Sequence, residues 1–167
     1  MLAIVARGLE GAVTWYPVDD WRIYGSFAYT DAEFDDNDPA LGAAKGERPR
    51  HLPEWTAALK TEFQFQVAGF DANIGGGVRY VGDYNTAYRS GQPGCGCPIN
   101  FPVEEHTLVD LNAGLFGERY SLSFYVTNLF DKYALANAGA SETASGVIAT
   151  GVIVKPRTVG VVMAIEF

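Results

Sequence analysis

At the carboxyl end, residues 157–167 read RTVGVVMAIEF. Val159, Val161, Met163, Ile165 and Phe167 fall on alternate positions, with Thr158, Gly160, Val162, Ala164 and Glu166 between them. Successive side chains of a strand point to opposite faces. The segment is therefore a strand with one almost purely apolar face, closing on an aromatic residue. In water such a strand at a sheet edge is a template for aggregation. Against lipid it is an ordinary piece of barrel wall. This one segment points to a transmembrane β-barrel rather than a soluble domain.

The rest of the chain is consistent with that reading. Its 167 residues would suffice for one domain, and only 19% of them are charged. No run approaches 18 uninterrupted apolar residues, so no helix is expected to cross a bilayer. Aromatics at 13% and 19 glycines suit interfacial girdles, tight turns and closely approaching strands. The net charge of −8 argues against a nucleic-acid partner, which calls for a basic face. The N-terminal MLAIVARGLEG places its first basic residue, Arg7, after the apolar run and lacks a cleavage site, unlike an export signal. An exported protein needs such a signal, so the expectation is the C-terminal piece of something longer.

Period-two alternation recurs seven times. The expected strands are Gly8 to Tyr16, Trp21 to Ala32, Pro53 to Phe65, Phe70 to Asp83, His106 to Leu115, Tyr120 to Asn128 and Arg157 to Phe167. Leu9, Val13, Trp15, Trp21, Ile23, Phe27 and Tyr29 belong to the lipid side of the first two, and Arg22, Tyr24, Ser26 and Thr30 to the inner side. In the last two, Leu122, Phe124, Val126, Val159, Val161, Met163 and Ile165 point to lipid, while Ser121, Ser123, Tyr125 and Thr127 point inward. Short turns at PVDD, QVAG and FGER alternate with long segments near residues 33–52, 84–105 and 129–156. Membrane barrels show this rhythm, with short turns on one side and long loops on the other. A soluble sandwich or lipocalin-like barrel is the competing architecture, but it rarely needs long loops at one end only.

Seven is an odd number, and bacterial barrels close with an even one. Either Val147 to Val154 (VIATGVIV) adds a strand beyond the membrane, or the wall continues upstream. The fold expected is an all-β, antiparallel, up-and-down barrel segment of about seven strands, incomplete, with the first and last strands as open edges.

Few residues suggest chemistry. Asp31, Glu33, Asp35, Asp36 and Asp38 offer oxygen ligands but lack the spacing of a calcium loop, so a solvated loop is the simpler reading. Cys95 and Cys97 in GCGCP are too few for a zinc site, and a bridge across the single Gly96 would be strained. His51 and His106 stand at loop–strand junctions of different segments. Inward Arg22, Lys60, Glu62, Asp71, Arg79 and Asp110 either pair across strands or meet whatever fills the barrel. No nucleophile–base pair or phosphate loop is present, so no catalytic residue, cofactor or metal ligand is assigned.

Asn128, Leu129, Phe130 and Asp131 open NLFDKY, Pro156 and Arg157 open PRT, and Phe167 ends the chain. With RPRHLPEWTAAL, YVGDY and LVDLNAG upstream, their order and spacing resemble the C-terminal end of TonB-dependent outer-membrane receptors, over nearly the whole chain. The resemblance implies the last strands of a barrel of about 22 strands with a plugged lumen. It implies residues 1–167 as barrel throughout, with the plug domain and TonB-contacting segment absent from this chain. The function implied is active uptake of a scarce nutrient such as an iron–siderophore chelate across the bacterial outer membrane. The partners implied are outer-membrane lipid, the N-terminal plug and upstream strands, the TonB complex through the N-terminal part, and the barrel-assembly machinery through Phe167. The other class left open is a small self-contained barrel serving as structural protein, adhesin or passive pore.

Overall fold

The computed structural model describes residues 4–88, 100–143 and 145–166. The strands are β1 Ile4–Val18, β2 Trp21–Phe34, β3 Trp55–Val67, β4 Phe70–Val81, β5 His106–Phe116, β6 Tyr120–Thr127, β7 Leu135–Thr143, β8 Gly146–Ile153 and β9 Thr158–Ile165. Seven form one antiparallel sheet in the order β1-β2-β3-β4-β5-β6-β9, and β7 pairs with β8 as a separate hairpin. The seven expected strands thus follow one another across the sheet. The expected long third loop differs: it holds a hairpin, of which the VIATGVIV run forms one leg.

Register shows why this sequence makes a wall. Across the sheet, Trp21, Phe63, Ile74, Ala113, Phe124 and Val161 stand side by side on one face. One residue along each strand, Arg22, Glu62, Gly75, Asn112, Tyr125 and Gly160 stand side by side on the other. A slip of one residue would carry charged side chains of β2 to β5, or the serines and tyrosine of β6, to the apolar side, so the alternation itself fixes the register. Ten positions separate Phe65 from Trp55 on β3. At roughly 3.3 Å per residue and a tilt of roughly 45°, they span about 23 Å of height, near the roughly 25 Å apolar band of such walls.

Short turns join the strands at one end. Ala68 and Gly69, with φ of 52° and 82°, link the paired Val67 and Phe70. Positive φ at both central residues is the type I′ geometry, whose twist matches that of the strands it joins.

At the other end the pattern of faces inverts. Beyond Leu9 and Tyr29, the outward positions of β1 and β2 become Arg7, Asp31 and Glu33. The inward Ala32 and Phe34 become buried. The strands have left the bilayer and now bury their opposite face against the loops, as a water-soluble sheet would. Phe34, 1% exposed, and Val103, 0% exposed, are the largest fully buried side chains among the described residues. The Phe34 ring meets Tyr88 edge-on at 5.3 Å. The backbone of Val103 pairs with that of Tyr84, and the His51 amide donates to the Asn85 carbonyl at 2.8 Å, tying the first long loop to the second. The packed core of the molecule therefore lies outside the membrane, where water makes burial of apolar groups favourable.

The sheet is open. Among the described residues β1 pairs only with β2 and β9 only with β6, so the two edges expected to lack partners do lack them.

Candidate functional site

Two regions gather polar side chains: the inner face of the sheet and the corner where β6 gives way to the hairpin. On the inner face, Arg22 and Glu62 pair across β2 and β3 at 3.3 Å. Tyr24, Lys60, Asp110 and Asn112 line the same shallow recess. Its floor is β4, where a Cβ on Gly75 would fall 2.9 Å from the Thr61 carbonyl oxygen and 3.0 Å from Asn112 Oδ1. Glycine in a strand interior marks a close approach by a neighbour, here the side chain of Asn112. The inner face is thus a mixed-charge, hydrogen-bonding surface. Arg79, Asp71 and Gln66 extend it, Gln66 Nε2 donating to Asp71 Oδ1 at 3.0 Å.

The corner is built from the NLFDKY and PRT runs. β6 and β9 stay paired up to Thr127 and Thr158, and the ladder resumes where the Val154 amide donates to the Ala134 carbonyl. More residues lie between these points on the β6 side than on the β9 side, so the chain must bulge. Asn128 makes the bulge possible. Its φ is 52°, a left-handed conformation that asparagine tolerates better than most residues. Its side chain is almost wholly buried and fully used. Nδ2 donates to the carbonyls of Lys132 and Lys155, both at 3.0 Å, and Oδ1 accepts the Lys132 amide at 2.8 Å. Its backbone amide donates to Asp110 Oδ1 at 2.8 Å. Asp131, also at φ 52°, accepts the Arg157 amide on Oδ1 at 2.8 Å. The Leu129 amide continues the ladder to Val109, and the Pro156 carbonyl accepts the Thr158 hydroxyl.

Six of the seven motif residues therefore meet at one place: Asn128, Leu129, Phe130, Asp131, Pro156 and Arg157. The seventh, Phe167, lies outside the described residues, as do Cys95 and Cys97. The two histidines stay apart in role. His51, at φ 59°, lies against Tyr84 with ring centroids 6.2 Å apart, while His106 Nδ1 is 3.2 Å from the Glu104 carbonyl. The acidic loop spends its carboxylates on its own turns. Asp38 accepts the amides of Ala40 and Leu41, Asp36 that of Asn37, and Asp35 faces Lys45 at 3.9 Å. Sequence reasoning missed Lys132 and Lys155 as members of the corner, because their part is played by backbone carbonyls, which carry no residue signature.

The outer loops are also tied to the hairpin, through the Tyr84 hydroxyl, which donates to the Ala136 carbonyl at 2.5 Å. Burial pushes the Tyr84 phenol above its ordinary pKa.

Comparison with known proteins agrees with this geometry. The chain is 28% identical over 141 residues to the ferrichrome outer membrane transporter/phage receptor of Escherichia coli K12, covering 80% of this chain but 17% of that protein. It superposes on the ferric yersiniabactin uptake receptor of Yersinia pestis with a TM-score of 0.78 at 22% identity, covering 99% of this chain and 24% of that one. The ferric preacinetobactin receptor of Acinetobacter baumannii gives 0.69 at 21% identity, over 97% of this chain and 22% of that one. The chain thus spans about a quarter or less of the length of these relatives. Residues 3–129 match the family described as TonB dependent receptor-like, beta-barrel. An open antiparallel wall, apolar outside and charged within, is what a segment of such a barrel should be, and the chain belongs to this family of TonB-dependent receptor β-barrels.

Proposed function

We propose that this chain is the C-terminal wall of a receptor that imports a ferric siderophore, energised through TonB. Its bilayer is the bacterial outer membrane, and the family is one of receptors rather than enzymes. Receptors of this family carry a plug domain and work with TonB. In this reading the plug and the remaining strands come from the rest of a longer protein. They meet the inner face lined by Arg22, Lys60, Glu62 and Asp110. Asn128 to Asp131, with Pro156 and Arg157, serve as the rim staple of the last hairpin, and Phe167 as the assembly signal.

One observation carries the reading above all. Among the described residues the inner face bears paired and unpaired charges on a sheet with two free edges. A closed barrel of about eight strands has an interior just filled by side chains, and long charged groups there would need partners. A wide, plugged barrel supplies them. Unpaired edge groups in lipid would each cost several kcal/mol, so further strands must cover β1 and β9.

The test uses the full-length gene in a host lacking its own ferric-chelate receptors. Radioiron uptake from hydroxamate, catecholate and mixed-ligand siderophores is measured with and without TonB. Uptake of one class that vanishes without TonB supports the proposal. Ion conductance in planar bilayers with no TonB-dependent uptake of any class would replace it with a passive pore.

A further inference from the structure

The corner at the end of β6 does more than turn the chain. Asn128 Nδ2 holds the carbonyls of Lys132 and Lys155 on one amide group, and Asp131 holds the backbone amide of Arg157. Two short polar side chains thereby bring the backbones of three cationic residues together in a chain whose net charge is −8. All three are exposed, and among the described residues none forms an ion pair. Beside them Phe130 and Tyr133 are 75% and 74% exposed, more than any other large apolar side chain described. Among the described residues neither ring meets another aromatic ring or a cation.

The height of the corner explains the combination. The Leu129 amide still meets Val109, the partner of Val78, so Phe130 leaves the wall near the level of Tyr80, which stands ten positions above Phe70 at the short-turn end. A membrane strand needs about 9–11 tilted residues to cross. Phe130 thus reaches the level of the outer headgroups, where a girdle of aromatic residues flanks the apolar band. Clustered lysine and arginine at that level attract anionic headgroups.

We propose that Lys132, Lys155 and Arg157, flanked by Phe130 and Tyr133, form a binding site for a phosphorylated lipid headgroup of the outer leaflet. The cations hold the phosphate while the rings lie against the lipid shoulder. The inference rests on the barrel reading but not on the cargo. Bound lipid would fix the hinge of the β7–β8 hairpin to the membrane surface, since the same residues form that hinge.

The test is made on the full-length protein, purified, delipidated and examined by native mass spectrometry. The probes are a bisphosphorylated glycolipid, its dephosphorylated counterpart and inorganic phosphate. Wild type should retain the bisphosphorylated lipid. The triple variant Lys132→Gln, Lys155→Gln, Arg157→Gln should retain on the order of a hundredfold less. Arg119→Gln, at the opposite end of the wall, should match wild type. Heat-dependent gel mobility reports folding. If the triple variant fails to fold, Arg157→Gln alone is used, because only its backbone amide is engaged in the corner. Equal retention by variant and wild type overturns the site. So does equal binding of the dephosphorylated lipid, which would leave the rings alone responsible, and so does displacement by inorganic phosphate at similar concentration, which would indicate a free-anion site. A protein that does not float with membranes refutes the barrel reading itself, whereas one that floats without retaining lipid refutes only this inference.

Discussion

Replacing Asn128 by alanine removes three buried side-chain hydrogen bonds, two donated by Nδ2 and one accepted by Oδ1. At about 1 kcal/mol each, they account for about 3 kcal/mol. Alanine must also adopt the φ of 52° without asparagine's tolerance of the left-handed region, which adds about 1 kcal/mol. The expected loss for Asn128→Ala is therefore about 4 kcal/mol. Asn128→Gly loses the same bonds without the backbone strain, so it should fall about 1 kcal/mol short of that. Asn128→Asp keeps the acceptor for the Lys132 amide but sets a carboxylate oxygen against two carbonyls, and should be no better than glycine. Urea unfolding of the full-length protein in lipid vesicles measures all three, with amide exchange across residues 135–153 as the local readout. A loss under about 1 kcal/mol for alanine, or a glycine variant less stable than the alanine one, would refute the account of the corner.

Other consequences of the structure are open to simpler measurements. Val161→Arg puts a charge opposite Phe124 on the lipid face and should cost about 2–4 kcal/mol at mid-depth, while Ser123→Arg on the inner face costs little; equal losses in vesicle unfolding would reject the assignment of faces. A Cβ at Gly160 would fall inside the ring of its cross-strand partner Tyr125, so Gly160→Val should destabilise the β6–β9 ladder by about 1–3 kcal/mol, and pairing it with Tyr125→Ser should recover part of the loss in a double-mutant cycle. Because the Tyr84 phenol is raised by burial and donates to Ala136, the contribution of this contact is complete below the ordinary tyrosine pKa of about 10 and disappears as pH rises through the higher folded value. Proteolysis of the β7–β8 hairpin should accelerate over that range in wild type, whereas Tyr84→Phe should be fast at neutral pH already.

Much of this molecule is legible without coordinates because a barrel wall is a local code. Each strand needs only its own alternation to know which face meets lipid, and the short turns need only Pro, Gly and Asp between two such runs. That is why the seven strands and the inward placement of Arg22, Tyr24, Ser123 and Tyr125 follow from period two alone. The hairpin is the instructive exception. Its second leg, VIATGVIV, is visible as an apolar run, but its partner, Leu135–Thr143, is mostly alanine, glycine, serine and asparagine and has no apolar face to display. Only pairing with β8 reveals it as a strand.

The sequence by itself determined the class of fold, the side of each strand that faces lipid, and the order in which the strands pair. The tertiary structure alone decided three other matters. It showed that β1 and β2 outlast the bilayer, because Ala32 and Phe34 are apolar residues on what had been the polar face, and only contact with the loops explains them. It showed that Asn128 and Asp131 hold together residues more than twenty positions apart, since their partners are backbone groups that no pattern of side chains encodes. And among the described residues it left both edges of the sheet unpaired, because alternation acts within a strand, whereas closure depends on how many strands stand side by side and on the circumference they must span.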